Sequence, residues 1–405
     1  MTAPLRLRGA ALLDTATGES SRRDLGVRDG VVVEVADVGN APEIDVSGLT
    51  GLFGLWDCHT HPGGLMYDPA GTGYTEGAPA RTIRAGNNLL QAAGMGVTGI
   101  RAVDEPDEID LAWGAAFAAG APPGPRVLGA GRGIRTTGGH GTAWPRTYTR
   151  LDNEIVVDGP AALARAVRGQ VERGAQWIKI MLTGGLYSEH ETVDGVQFTD
   201  AELRTVMEVA NQRGIPVAAH CGGADAAIRF AELGGRSVEH GYALDERAAK
   251  ALTAAGTWLV PTLSVTHDVA LMERDGWPPH AMNRAKASAA AHADALRACI
   301  EAGVRVATGA DLNPIGPRLH AELAILEGAG MERLAVLHAA TAGGRALNGC
   351  GEASTPLPGS AADLIFLEGD PLADPAVLSR PRHVVAHGRL LAMDGGAPAS
   401  TRAGP

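Results

Sequence analysis

The stretch "WDCHTHPGG", residues 56–64, decides how this chain is read. It closes an apolar, strand-like run, "DVSGLTGLFGLWD" (45–57), and then places two histidines one residue apart. Successive side chains on a strand point to opposite faces, so residues two apart share a face. The pattern therefore expects His59 and His61 to project into one space, with Asp57 beside them. Two imidazoles facing one space at a strand end invite a third ligand and a metal ion.

The search for partners follows the apolar runs outward. Beyond the first strand come "GVTGIRAV" (96–103), "PRVLGAG" (125–131), "WIKIML" (177–182), "IPVAAH" (215–220), "RSVEH" (236–240), "TWLVPTL" (257–263) and "VRVATGAD" (304–311). Helical patterns such as 82–95, 161–174, 200–214, 224–235, 245–256 and 281–303 separate them, many closing on a glycine that suits a left-handed cap. Eight strands alternating with helices over about 300 residues is the arithmetic of a (β/α)8 TIM barrel. A doubly wound sheet is the alternative, but no G-x-G-x-x-G turn follows the first strand.

The ends have a different character. "LRLRGAALLD" (5–14) and "LGVRDGVVVEVAD" (25–37) are β-prone, and Asp29-Gly30 is a strong hairpin signal. "ADLIFLEGD" (362–370) and "HVVAHGRLLAMDG" (383–395) repeat that character. A small β-sandwich domain built from both termini is expected, residues 1–52 plus 353–405, around a barrel over 53–352.

Barrel enzymes carry their chemistry at the C-terminal strand ends. Read at those positions, the chain offers His59 and His61 on strand 1, Lys179 in strand 4, His220 on strand 5, His240 on strand 6 and Asp311 on strand 8. Singly, each has a bland reading as a core histidine, a turn aspartate or a helix cap. A lysine in an apolar strand is harder to dismiss, because burying an ammonium is expensive.

These positions resemble the metal-dependent amidohydrolase superfamily along essentially the whole chain. The likeness rests on the H-x-H, the histidines of "AAHCGGADAAIRFAELGGRSVEHG" (218–241), "ATGADLNP" (307–314) and the closing "PLPGSAADLIFLEGDPLAD" (356–374). Within it, "WIKIMLTGG" (177–185) and "TTGGHG" (136–141) are similar to the branch of imidazolonepropionase-like dipeptidases, prolidases and N-acyl amino acid hydrolases. The resemblance implies two divalent metal ions, usually zinc with manganese or cobalt able to substitute. It also implies a bridging Lys179 carboxylated by CO2. His59, His61 and Asp311 would hold one ion and His220 and His240 the other. Asp311 would act as general base and acid toward a bridging hydroxide that attacks an amide carbonyl. Mononuclear deaminases and imidazolonepropionase itself usually carry a glutamate three residues after the strand-5 histidine. Here that position is Gly223, which disfavours both activities. Asp57 reads as a supporting residue rather than a ligand.

Three long rim loops, 62–80, 133–158 and 183–198, are where specificity is expected. His140, flanked by glycines, is the first candidate for substrate contact. Tyr242 shares a face with His240, and Arg135 and Arg318 are candidate carboxylate clamps. The remaining histidines receive no role; His292 reads as surface or packing, and His320 as a residue that can border the site.

The chain has 405 residues and a formal net charge of −11, which excludes a broad basic face for nucleic acid. It shows no signal-peptide pattern and no apolar run long enough for a membrane helix. Four scattered cysteines without C-x-x-C spacing fit reduced thiols. A cytoplasmic enzyme acting on a small molecule is expected, with homo-oligomers possible. The leading substrate is a dipeptide or N-acyl amino acid. A lactone, ester or carbamate hydrolase on the same site is the first alternative, and a non-catalytic scaffold the second.

Overall fold

The structure, a computed structural model, describes residues 2–64, 76–142 and 154–391. Much of the rim loops 62–80 and 133–158, and residues 392–405 of the expected terminal domain, lie outside the described residues.

The ends of the chain meet as the pattern expects. β1 (Leu5–Leu13), β2 (Ser20–Arg28), β3 (Val31–Val33), β4 (Glu43–Asp45) and β5 (Thr50–Phe53) come from the first fifty-three residues. β15 (Leu364–Leu367), β16 (His383–Ala386) and β17 (Arg389–Leu390) come from the last described ones. They form one eight-stranded mixed sheet ordered β17-β16-β15-β5-β1-β2-β3, with β4 on β1. β2 and β3 pair antiparallel through Arg28↔Val31, and Asp29 and Gly30 take positive φ of 50° and 79°, the backbone that a two-residue hairpin needs. The sheet has its own apolar cluster, in which Leu7, Leu12, Val27, Phe53, Leu364 and Phe366 are fully or almost fully buried.

Between the ends the strands are parallel. β6 (Leu55–Thr60), β7 (Val97–Ala102) and β8 (Arg126–Gly129) make one ladder. The second ladder comprises β9 (Ile134–Arg135), β10 (Ile155–Val156), β11 (Ile178–Met181), β12 (Val217–Gly223), β13 (Ser237–Ala243) and β14 (Trp258–Val260), in the order β10-β9-β11-β12-β13-β14. Helices connect them, each burying one apolar stripe, as Leu203, Val206, Met207 and Ala210 do in Asp200–Gln212. That helix starts where "TDAE" places a capping box, with the Thr199 amide bonded to Glu202 at 2.8 Å. The arrangement is α/β with the strands at the centre.

The expected eighth strand is not a ladder. Residues 304–311 contribute one parallel bridge, Val306 with Leu259. Main-chain bonds nonetheless run from Ala307 to Leu259 (3.0 Å), from Cys58 to Thr308 (2.8 Å) and from Asp311 to His59 (2.9 Å). The segment is thus hydrogen-bonded to both β14 and β6. Gly309 explains the irregularity: a Cβ there would lie 2.7 Å from the His59 Cβ, so the backbone presses against β6 where no side chain fits. Two long helices, Ile109–Ala119 and Ile315–Gly328, lie in stretches where the sequence pattern singled out none. No helix is long and apolar enough to cross a membrane among the described residues.

Trp56 fills the space where β6 and β7 approach. It is 1% exposed, and Gly99 and Gly344 both back onto it, with added Cβ atoms falling 2.0 Å from its ring and 2.3 Å from its Cβ. The ring is held from both sides and has nowhere to retreat. Gly99→Ala is therefore expected to destabilise the protein by about 1–3 kcal/mol through overpacking. A guanidinium unfolding midpoint equal to that of the wild type would show that the ring can move aside.

Candidate active site

Six side chains from five places in the chain converge on one cavity: His59 and His61 from the end of β6, Lys179 from β11, His220 from β12, His240 from β13 and Asp311 after the 304–308 segment. One ligand atom from each of His59, His61 and Asp311 lies within 4.8 Å of the others. His61 Nε2 is 3.0 Å and His59 Nε2 3.5 Å from Asp311 Oδ1. The His220 and His240 ring centroids are 4.4 Å apart, and those of His59 and His240 4.8 Å.

Each imidazole has one nitrogen already engaged. His59 Nδ1 donates to Glu239 Oε2 at 2.8 Å and His61 Nδ1 to the Asp104 carbonyl at 3.0 Å. His240 Nδ1 bonds the Thr262 hydroxyl at 2.6 Å, and His220 Nε2 donates to the Gly184 carbonyl at 3.1 Å. A carboxylate or carbonyl acceptor fixes the tautomer and leaves the other nitrogen of His59 and His220 as a lone pair, the form in which histidine binds metals, while His61 Nε2 faces Asp311. Imidazole nitrogen with carboxylate oxygen is a donor set that fits a divalent ion such as zinc. His240 and Asp311 also hold positive φ of 68° and 61°, uncommon for residues with a Cβ. Their surroundings impose it: the His240 carbonyl accepts from His292 Nε2 at 3.0 Å, and the Asp311 amide is tied to His59.

Electrostatics follow from burial. Burial pushes His59 down to about 4. For His61 burial acts the same way but the adjoining Asp311 carboxylate prevails, raising it to about 9. Burial opposes ionisation of Asp311, yet His59 and His61 hold it below the usual carboxylate range. Lys179, 2% exposed, is pushed below the ordinary lysine range by burial, and the carboxylates of Glu239, Asp311 and Asp104 pull the other way without offsetting it.

The other sequence candidates divide. His140 lines the cavity, stacks on His220 at 4.0 Å and donates from Nδ1 to Glu191 at 2.6 Å. Tyr242 also lines it, stacked on His240 with 3° between the rings. Arg135 and Arg318 do not line the cavity. Arg135 donates to the Thr136 carbonyl and the Thr142 hydroxyl and lies 3.6 Å from Glu154, which does line the cavity, while Arg318 is bonded to Asp268 at 3.0 Å, away from it. Asp57 does not share the cavity with His59 and His61. The β6–β7 register shifts between Asp57 and Thr60, which breaks the two-residue alternation, and the carboxylate instead accepts from the His59 and Ala310 amides. His292 is buried packing under His240, not surface. His320 donates to the Met95 carbonyl and lines a different cavity.

Several supporting residues went unnoticed in the sequence. Glu239 stands beside His240 in "VEH", and Arg101, in the middle of β7, bonds it with two contacts of 2.8 Å. Arg101 also donates to the Ser237 hydroxyl at 2.8 Å, and both ionic groups are 0% exposed. Burial alone would raise the Glu239 carboxyl, but Arg101 and His59 bring it to about 2. Glu191 and Gln197 fix His140, and Glu322 takes the Leu263 and Ser264 amides beside Thr262. A charged residue inside an apolar strand was the available signal for Arg101 and Glu239.

With this geometry in view, the comparisons are informative. The amidohydrolase family model matches residues 52–391, and the chain belongs to that family. It is 31% identical over 371 residues to the ochratoxinase of Aspergillus niger, spanning 83% of this chain and 74% of that one. A crystal structure of a Xaa-Pro dipeptidase with methionine bound in its active site superposes with a TM-score of 0.85 at 27% identity, covering 96% of this chain and 99% of that one. A prolidase in complex with N-methylphosphonate-L-proline gives 0.86 at 28% identity, with the same coverage. The chain is a hydrolase acting on C–N bonds.

Two tests follow. Glu239→Gln keeps the shape but leaves the Arg101 guanidinium buried against a neutral amide. It is expected to cost about 3–5 kcal/mol in unfolding of the metal-free protein; a cost under about 1 kcal/mol would remove Glu239 as the partner of that charge. Glu105, buried with its Oε2 accepting from the Gly63 amide, is pushed by burial from 4.5 to about 8. The unfolded chain releases this proton near 4.5 and the folded one keeps it to about 8, so its contribution is most favourable at acid pH and declines as pH rises through that window. Glu105→Gln should therefore gain on the wild type by up to ~1.4 kcal/mol per pH unit between those values. Parallel stability curves for the two proteins would refute this.

Proposed function

We propose that the chain is a binuclear metal-dependent hydrolase that cleaves an amide bond of a small molecule, a dipeptide or an N-acyl amino acid. The observation that carries the reading is the convergence of the six side chains on one cavity, each histidine held from behind through one ring nitrogen. The Xaa-Pro dipeptidase and prolidase structures support the amide class. We read the parallel strands and the 304–308 segment as a (β/α)8 barrel over 53–352, with 1–52 and 353–405 as its composite β domain. The main-chain bonds linking that segment to β14 and β6 support closure. Free cysteines at 58, 221, 299 and 350 fit a reducing cytoplasm.

His59, His61 and Asp311 would hold one divalent ion, His220 and His240 the second, and Lys179, carboxylated by CO2, would join them. Such ions, zinc or in its place manganese or cobalt, would supply Lewis acidity toward the scissile carbonyl and toward water. The chain supplies the rest. Burial favours the neutral Lys179 amine, the form that adds to CO2; the proton leaves and the product is an anionic oxygen donor. Asp311, kept ionised by the two histidines, takes a proton during attack and returns it to the leaving nitrogen. Tyr242 and His140 flank the histidines and orient the substrate.

Metal content by elemental analysis, on protein purified with zinc and bicarbonate, is the direct test. Close to two ions per chain is expected, falling in Lys179→Ala together with activity by at least 100-fold and recovering in part with short carboxylic acids. A fully active Lys179→Ala protein, or one ion in the wild type, would overturn the bridged site.

A further inference from the structure

The cavity has two unlike sides. Besides the histidines, the lining includes the apolar surfaces of Leu186, Tyr187, Val265 and Trp277. Leu186, Val265 and Trp277 belong, with Tyr242, to an apolar cluster distinct from the main core, and Tyr187 packs against it. Leu186, Val265 and Trp277 are between 2% and 5% exposed, and Tyr187 meets Trp277 edge-to-face at 5.9 Å.

The loop that supplies Leu186 and Tyr187 is held in an unusual way. Five successive carbonyls, from residues 185 to 189, are all taken by the helix Pro279–Glu301. Arg284 Nη1 donates to those of Gly185 (3.0 Å), Leu186 (3.0 Å) and Ser188 (2.6 Å), and its Nη2 to that of Glu189 (3.1 Å). His280 Nε2 donates to the remaining one, Tyr187, at 2.8 Å. A planar guanidinium has the several fixed donors this requires, and a lysine ammonium does not. The main chain therefore directs those carbonyls toward the helix. The charge of Arg284 is spent on the same oxygens, and Arg284 is not among the residues lining the cavity. What this side gives a bound molecule is mainly carbon surface, to which Tyr187 and Ser188 each add one hydroxyl.

We propose that Leu186, Tyr187, Val265 and Trp277 form the subsite for a bulky apolar side chain, aliphatic or aromatic, of the amide substrate, and that Arg284 is the positioning residue that shapes it. The inference rests on the amide-hydrolase reading of the same cavity and names its substrate class. A well-packed apolar subsite of this kind discriminates a large side chain from a small one by about 10- to 200-fold.

The test uses zinc-loaded full-length protein and two matched series. N-acetylated glycine, leucine and phenylalanine enlarge the amine portion; glycine carrying acetyl, isovaleryl or phenylacetyl groups enlarges the acyl portion. Affinity is read by calorimetry and turnover by released amine. In one series the wild type should gain at least 10-fold in affinity and kcat/KM from the smallest member to the largest. Trp277→Ala should remove that gain while the smallest substrate is nearly unaffected. Arg284→Lys, which keeps the charge and fills similar space, should raise KM for the large substrates with kcat and metal content unchanged. Absence of size grading in both wild-type series, or grading that survives both substitutions, would overturn the subsite, as would a loss in Arg284→Lys equal across all substrates. Graded binding without turnover supports the subsite and defeats the amide-hydrolase reading; turnover without grading does the reverse.

Discussion

A single buried cation organises the centre of this molecule. Arg101, in the middle of β7, donates to the Cys58 carbonyl of β6, to Ser237 and Glu239 of β13, and lies over the Trp177 ring at 4.4 Å, just ahead of β11. It is 0% exposed, so removing a partner would leave a charge stranded in low dielectric. Glu239 neutralises that charge and uses its second oxygen to receive the His59 N–H. The ion pair therefore links three strands, abuts the start of a fourth and sets the tautomer of the first histidine in one network. Packing and chemistry share the same few atoms.

The site's other supports repeat this logic with neutral groups. Thr262 holds His240, the Asp104 carbonyl holds His61 and the Gly184 carbonyl holds His220. Each histidine that faces the cavity is locked from behind. That is how a cluster of imidazoles avoids repelling itself: burial keeps His59, His220 and His240 neutral, and only His61, against Asp311, favours a proton. The positive φ at His240 and Asp311 belongs with this picture, since hydrogen bonds from His292 and to His59 hold both backbones where the side chains must point.

Much of this was legible in the chain itself. Alternating apolar runs and helical patterns give the order of elements, and the ionisable residues at strand ends give the six side chains that converge. His140 and Tyr242 were also readable, from flanking glycines and from strand alternation. Asp57 was misplaced because alternation fails where β6 shifts register against β7, and a register shift depends on the neighbouring strand. Arg135, at the end of β9, and Arg318, in the helix Ile315–Gly328, sit beside Glu154 and Asp268, and which acid a long guanidinium side chain meets depends on elements that pack from elsewhere in the chain. The eighth segment lies between β14 and β6 as its apolar pattern expects, but as one bridge and scattered main-chain bonds, with Gly309 drawn in against His59, an approach that composition does not report.

The sequence by itself determined the alternation of strands and helices, the meeting of β-rich ends, and which strand ends carry donors, because periodicity and residue chemistry are local properties. Only the tertiary structure decided which nitrogen of each histidine remains open, which acid answers Arg101, and which loop carbonyls Arg284 collects. Those contacts join residues as far apart as His59 and Glu239, or Gly185 and Arg284. A hydrogen bond is made or lost within a few tenths of an ångström, and only the packed fold sets distances that finely.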